Sequence, residues 1–364
     1  MRRGSSQECA GHGARLPALG QRSDRRLALR IARMVEAAGK IIISGHERPD
    51  GDCIGSEVAL CAVLRQAGFD AEVVNSDPTP PRYAFLLDGA IPGGQAVPVR
   101  VLGDKETTLA ADLFFALDAT NLPRLGRVAP LLRHSAERII VLDHHEGDSD
   151  FGAINWVEPH AAATAELVWR LVSCCGWEAP RIALYALHTG LVTDTGQFSY
   201  RNTSPRVLRM AAELLERGVE PERIWRNVYL NKSRRELALE ARARASLRTA
   251  AGGRIAHIAL SHRDFLATGT GPQDAEELAN IPRSLAGAEL SLFFYAVNGG
   301  QQTKISLRSV SPIDVAALAR QFGGGGHKQA AACRLDMGLA AAKRVFLAEA
   351  KRFIGRERKE TAVS

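Results

Sequence analysis

The chain has 364 residues, 46% hydrophobic and 24% charged, with a net charge of +7. That length carries two or three domains with proper cores, and no apolar run approaches the ~20 residues of a membrane-crossing helix. Lys and Arg outnumber Asp and Glu by 47 to 40, which favours anionic partners only weakly because part of the excess sits at the two ends.

Residues 1–23 are rich in Gly, Arg and Ser with little apolar periodicity, and are expected to form a disordered basic tail. They contain no continuous apolar segment of the kind a secretory signal needs. The cysteines Cys9, Cys53, Cys61, Cys174, Cys175 and Cys333 form no C-x-x-C pair. Reduced thiols in a cytoplasm are therefore expected.

A helix over about Asp24–Ala38, stopped by Gly39, opens the first domain. Ile41-Ile42-Ile43-Ser44 then reads as a buried strand running into Gly45-His46-Glu47-Arg48-Pro49-Asp50-Gly51-Asp52, with a helix from about Asp52 to Ala67 behind it. This strand delivers His46, Asp50 and Asp52 to its carboxyl end, where open α/β sheets bind ligands. An imidazole beside carboxylates suits Mn²⁺, Fe²⁺ or Zn²⁺ better than Ca²⁺. The alternative is a polar turn in which the two Asp merely cap the helix.

Ala71–Asn75 predicts a second strand, making the opening β-α-β. Pro78, Pro80 and Pro81 break the pattern, and 89–103 reads as an irregular connection. Leu113-Phe114-Phe115-Ala116-Leu117 again ends in a carboxylate, Asp118. Arg138-Ile139-Ile140-Val141-Leu142 delivers Asp143, His144 and His145 to the same sheet edge. Side chains alternate along a strand, so the adjacent histidines cannot both enter the core. They are either a surface pair or a metal ligand beside a substrate-facing acid.

Thr164–Val172 is amphipathic with a plausible cap and reads as a covering helix; Trp156 and Trp169 read as core. The run Ala183–Val192 is helical and ends at Asp194, with His188 a packed histidine rather than a ligand. Ser204-Pro205 opens another helix, closed by Gly218. His46, Asp50, Asp52, Asp118, His144 and Asp194 thus all stand at element ends. Six ligands are too many for a tetrahedral zinc site and suit two ions sharing one carboxylate.

Residues 226–250 read as a charged helical connector, with a solvated face as the default and a basic docking surface as the alternative. The second domain, 251–358, opens with a strand over 254–260, followed by a helix over Asp274–Asn280. Leu290–Tyr295 and Lys304–Ser309 are expected to pair as a hairpin across Asn298-Gly299-Gly300. Ser311-Pro312 caps a helix over Ile313–Gln321. In Gly323-Gly324-Gly325-Gly326-His327-Lys328, backbone amides can approach an anion closely, although a flexible loop has the same composition and no P-loop pattern is present. Residues 359–364 read as a tail.

G-H-x-x-P-D-G-D-x-x-G-S at Gly45–Ser56, Asp118 after its strand, Asp143-His144-His145 and Asp194-Thr195-Gly196 resemble the ordered motifs of the DHH phosphoesterases. The resemblance spans Ile41 to the C-terminus and runs to the branch of bacterial bifunctional nanoRNases, which act as oligoribonuclease and pAp phosphatase. It implies an α/β fold: a larger N-terminal catalytic domain, 24–225, with a mostly parallel sheet flanked by helices, the connector, and a smaller C-terminal α/β domain.

The resemblance also implies two divalent ions, Mn²⁺ being favoured. His46 and Asp50 would bind one; Asp52, His144 and Asp194 the other; Asp118 would bridge. His145 would face the scissile phosphate as acid or charge stabiliser, with Asp143 orienting an imidazole. Arg283, Lys304, Arg308 and His327, with Gly324, Gly325 and Gly326, would bind the nucleotide in a cleft between the domains.

Ala332 stands where the family commonly has glycine, which puts substrate fit in doubt more than catalysis. The expected substrates are short single-stranded RNA and a nucleoside bisphosphate; a homodimer stays open. Rival readings are a hydrolase of linear pApA or pGpG, an inorganic pyrophosphatase, an exonuclease on longer DNA, and a non-catalytic nucleic-acid-binding module.

Overall fold

A computed structural model describes residues 22–133, 135–147, 150–310 and 313–361. Residues 1–21 of the tail expected over 1–23 lie outside them, as does the Ser311-Pro312 cap, while Arg22 and Ser23 begin the first helix. The chain divides into two compact units, Met1–Asn231 and Lys232–Ser364. Among the described residues, no helix is long and apolar enough to cross a membrane.

The first unit runs α1 (Arg22–Ala37), β1 (Lys40–Gly45), α2 (Gly51–Gln66), β2 (Asp70–Asn75), β3 (Val99–Val101) and β4 (Leu113–Leu117). It continues with α3 (Ala129–Leu132), β5 (Ile139–Asp143), β6 (Ile154–Val157), α4 (Thr164–Cys175), α5 (Arg181–Asp194), α6 (Pro205–Glu216) and α7 (Pro221–Tyr229). The six strands form one sheet in the order β3-β2-β1-β4-β5-β6, and every pairing is parallel.

Both faces are covered, so the central runs Ile41–Ile43, Leu113–Leu117 and Ile139–Leu142 of β1, β4 and β5 are apolar without alternation. Ile41, Ile43, Phe115, Leu117, Ile140 and Leu142 enter the core shared with α2, α4 and α5. Ile42, Phe114, Ala116 and Val141 enter the opposite one with Leu125, Val128 and Leu132. The strand order reverses between β1 and β4, and in such sheets ligands bind beyond the carboxyl ends at that switch point.

α2 is the central helix, buried from Gly51 to Leu64. It crosses α5 closely: a Cβ on Gly55 would stand 2.4 Å from the Ala186 carbonyl oxygen, so only glycine admits this approach. Two strands depart from the sequence expectation. β3 lies inside the supposedly irregular 89–103 stretch, and β6 was not anticipated. Both are short edge strands, three and four residues, with too few alternations to register as periodic.

The second unit runs α8 (Arg234–Ala245), β7 (Arg248–Ala250), β8 (Ile255–Leu260), α9 (His262–Thr268), β9 (Leu290–Val297) and β10 (Gln302–Ser309). It ends with α10 (Val315–Arg320), β11 (Gly325–His327), β12 (Ala330–Leu335) and α11 (Leu339–Thr361). Its mixed sheet is ordered β11-β12-β10-β9-β8-β7, with β8–β9 parallel and the rest antiparallel.

β9 and β10 form the expected hairpin, Val297 opposite Gln302. The single connector helix is instead α7, α8 and β7: Ser233 and Glu236 form a capping box that starts α8 afresh. The Asp274–Asn280 helix is a 3₁₀ segment over Pro272–Asn280. α9 and α11 were not anticipated; α11 closes the core with Ala342, Phe346, Ala350, Phe353 and Ile354.

Candidate metal centre

The sheet register brings the sequence motifs together. Gly45 pairs with Leu117, so His46 and Asp118 leave adjacent strands side by side at the switch point. The Asp118 N–H donates to the Leu142 carbonyl at 3.0 Å, carrying the ladder to the end of β5, where Asp143, His144 and His145 follow. Asp50 is the N-cap of α2, Asp52 lies in its first turn, and Asp194 is the last residue of α5.

Asp118 stands between two groups of donors. Its Oδ2 is 3.4 Å from His46 Nε2, which is 3.9 Å from Asp50 Oδ1. Its Oδ1 is 3.5 Å from His144 Nε2 and 3.6 Å from His145 Nδ1. His144 Nε2 is in turn 3.0 Å from Asp194 Oδ2 and 3.8 Å from Asp52 Oδ2. Within each of the triplets Asp52–His144–Asp194, Asp118–His144–His145 and His46–Cys53–Asp118, donor atoms lie within 4.8 Å of one another.

Backbone carbonyls orient both imidazoles. His46 Nδ1 is 2.8 Å from the Glu47 carbonyl oxygen and His144 Nδ1 is 3.3 Å from that of Ala161. A carbonyl only accepts, so each Nδ1 carries a hydrogen and each Nε2 faces the carboxylates, as metal-binding histidines are held. Burial disfavours a charge on His46, yet Asp118 and Asp50 raise it to about 11. Burial opposes His144 likewise, and Asp194, Asp118 and Asp52 raise it to about 11. Burial, Asp118 and Asp194 push Asp52 well above the usual carboxylate range.

Converging carboxylates draw positive charge, either protons on the two histidines or divalent cations that displace them. The donor set, imidazole nitrogen with carboxylate oxygen, fits Mn²⁺, Fe²⁺ or Zn²⁺. Asp118 also has φ of +56°, a left-handed conformation that Asp tolerates better than most residues and that recurs at functional sites. Asp50 serves the helix as well, its Oδ1 accepting from the Asp52 and Cys53 amides at 3.0 and 3.1 Å. Capping and proximity to His46 are therefore not exclusive.

Comparison with known proteins supplies the family. The DHH family, N-terminal domain, matches residues 40–191, and the DHHA1 domain matches residues 252–356. The bifunctional oligoribonuclease and PAP phosphatase NrnA of Thermus thermophilus is 31% identical over 316 residues, 85% of this chain and 88% of that protein. The chain belongs to the DHH family.

NrnA of Bacillus subtilis is 25% identical over 302 residues, covering 82% of this chain and 90% of its own. The crystal structure of an exopolyphosphatase-related protein from Bacteroides fragilis superimposes with a TM-score of 0.82 at 27% identity, covering 91% of this chain and 98% of that one.

Within the DHH motif, Asp143 is fully buried and bonds His145 twice: Oδ1 is 2.8 Å from the ring Nδ1 and 3.2 Å from the backbone N–H. In the DHHA1 domain, Lys304 and Arg308 lie four residues apart on β10 and so share a face. Arg308 is in register with Ala330, which is in register with His327.

Arg283 lies in a 3₁₀ turn, Pro282–Ser284. The glycine-rich stretch is partly strand: Gly325 and Gly326 are in β11, while Gly324 precedes it, and a Cβ there would stand 2.2 Å from the Ala332 carbonyl oxygen. Ala332 pairs with Gly325, where an added Cβ would meet nothing within 4 Å.

Sequence reading missed three buried polar residues. Glu57 and Asn75 meet beneath β1, where the Asn75 side-chain amide donates to Glu57 Oε2 at 2.8 Å and its carbonyl accepts from the Gly45 N–H at 3.3 Å. Burial pushes Glu57 up to about 8. Thr164 is the third, and the plausible side-chain cap expected for its helix is absent: the N-cap of α4 is Ala163, without a side-chain bond. A polar residue inside the buried α2 pattern, Glu57 between Ser56 and Val58, was the available signal for the first two.

Proposed function

We propose that the chain is a metal-dependent phosphoesterase that hydrolyses short oligoribonucleotides to mononucleotides and removes the 3′-phosphate of pAp, with Mn²⁺ as its ion. The observation that carries this reading is Asp118, its two oxygens apportioned between His46 with Asp50 and His144 with Asp52 and Asp194. The similarity to two NrnA proteins over most of their length supports the substrate class.

Divalent ions held by these residues would neutralise phosphoryl oxygens and lower the pKa of water. The chain's own part is positional and protonic. Nδ1 hydrogens of His46 and His144, held by backbone carbonyls, keep both Nε2 atoms turned toward the carboxylates. Asp143 orients His145 through Nδ1, and His145 would act as the acid toward the departing oxygen. In the DHHA1 domain, Lys304, Arg308, Arg283 and His327 would grip the remaining phosphates, with Gly324, Gly325 and Gly326 supplying backbone amides. Five free cysteines among the described residues support a reducing cytoplasm as the compartment.

The test is product analysis with purified protein, Mn²⁺ and labelled RNAs of two, five and twenty-four nucleotides, beside pAp and pGpG. Release of mononucleotides from the short RNAs and AMP from pAp, both abolished by EDTA, is the expected result. Turnover of pGpG with inert RNA and pAp would move the assignment to a linear-dinucleotide phosphodiesterase. Binding without hydrolysis would refute the enzymatic reading.

A further inference from the structure

We infer that Thr164, at the start of α4, is a positioning residue that sets the plane of the Asp118 carboxylate between the two donor groups. The inference rests on the metal-dependent reading above. α4 has no cap of its own: Ala161, Ala162 and Ala163 precede it and offer no side-chain acceptor. Its first amides are satisfied from 112 residues away, Thr164 N–H donating to Asp52 Oδ2 at 2.6 Å and Ala165 N–H to Asp52 Oδ1 at 2.9 Å.

Asp52 therefore serves as the cap of α4 from across the fold. Ser56 Oγ donates to Asp52 Oδ1 at 3.2 Å, and Gly190 leaves room for that oxygen, since a Cβ there would stand 2.7 Å from it. Thr164 is the first residue of α4 and not its N-cap, so its hydroxyl takes no part in capping. It donates instead to Asp118 Oδ1 at 3.0 Å, with Thr164 fully buried.

That bond has a directional consequence. A carboxylate rotates freely about its last torsion unless something holds one oxygen. Thr164 fixes Oδ1 on the side of His144, and Oδ2 then falls on the side of His46. The same short segment thus holds Asp52 through its amides and Asp118 through its hydroxyl. Residues behind metal ligands typically change ion affinity by about ten- to hundredfold when lost.

The experiment titrates wild type, Thr164→Val, Thr164→Ala and Thr164→Ser with Mn²⁺, reading free ion by electron paramagnetic resonance, with melting in EDTA as the folding control. Val keeps the shape and the N–H but lacks the donor; Ser keeps the donor. Affinity is expected to fall about ten- to hundredfold in Val and Ala and to stay within about threefold of wild type in Ser. If Val melts early through its shape, the Ala–Ser comparison decides. Wild-type affinity in both Val and Ala overturns this inference alone. No Mn²⁺ binding by wild type overturns the metal-dependent reading itself, and this one with it.

Discussion

Asp118→Asn tests the proposed sharing of Asp118 between two ions. Asn tolerates the left-handed conformation at φ +56° as well as Asp does, and its side-chain oxygen still accepts from Thr164, so fold and local geometry persist. Only the charge and one of two anionic oxygens are lost. Wild type at Mn²⁺ a hundredfold above its Kd gains about 2.7 kcal/mol from binding. For a unit of this size that is roughly 5–11 °C in Tm, at about 2–4 °C per kcal/mol.

If the variant binds about a hundredfold more weakly, the gain at the same concentration falls to about 0.4 kcal/mol, or roughly 1–2 °C. Hydrolysis should fall about a thousandfold, the equivalent of about 4 kcal/mol of transition-state stabilisation. The assays are differential scanning fluorimetry with and without Mn²⁺, and initial rates on a dinucleotide. A variant that keeps the full Mn²⁺-induced shift would refute the placement of Asp118 at the centre of the site.

Other residues separate the remaining roles. Asp143→Asn should cost about 10²–10⁴ in kcat by freeing His145 from its tautomer, while the Mn²⁺-induced Tm shift stays at the wild-type value; a lost shift would make Asp143 part of ion binding. Arg308→Ala should raise KM for pAp more than it lowers kcat, by about tenfold for one charge-assisted contact, and equal loss of kcat would contradict a role confined to substrate binding. His188 is buried among apolar neighbours, and burial lowers its pKa to about 4. The unfolded chain therefore binds the proton first: the stability contribution is intact above pH 6.5 and lost as pH falls toward 4. Between pH 6.5 and 5 this amounts to about 2 kcal/mol, measured by urea denaturation, and His188→Leu should remove that slope.

What the sequence discloses is local, and what it conceals is contact at a distance. β1, β4 and β5 are legible because each is an unbroken apolar run ending in a polar cluster, the mark of a strand buried on both faces. That places His46, Asp118 and Asp143–His145 at one edge. β3 and β6 are concealed because edge strands of three or four residues carry too little pattern. α11 is legible in principle, since Ala342, Phe346, Ala350, Phe353 and Ile354 recur at helical spacing. The Ser233–Glu236 capping box was readable and splits the supposed connector. The role of α4 was not: nothing near Thr164 in sequence points to partners 46 and 112 residues away.

That reciprocity between α4 and the buried carboxylates bears on how the site is held. Asp52 and Asp143 are wholly buried and Asp118 nearly so, and buried carboxylates are costly unless hydrogen-bonded. Each has its donors within the protein: α4 amides and Ser56 for Asp52, His145 for Asp143, Thr164 for Asp118. α4, starting after three alanines, needs an acceptor as much as Asp52 needs donors. Two deficits that would each destabilise the unit cancel when they meet, so the acidic cluster forms with the fold. Positive charge then arrives at a site already shaped, on protons or on divalent ions, and binding energy is not spent on ordering the ligands.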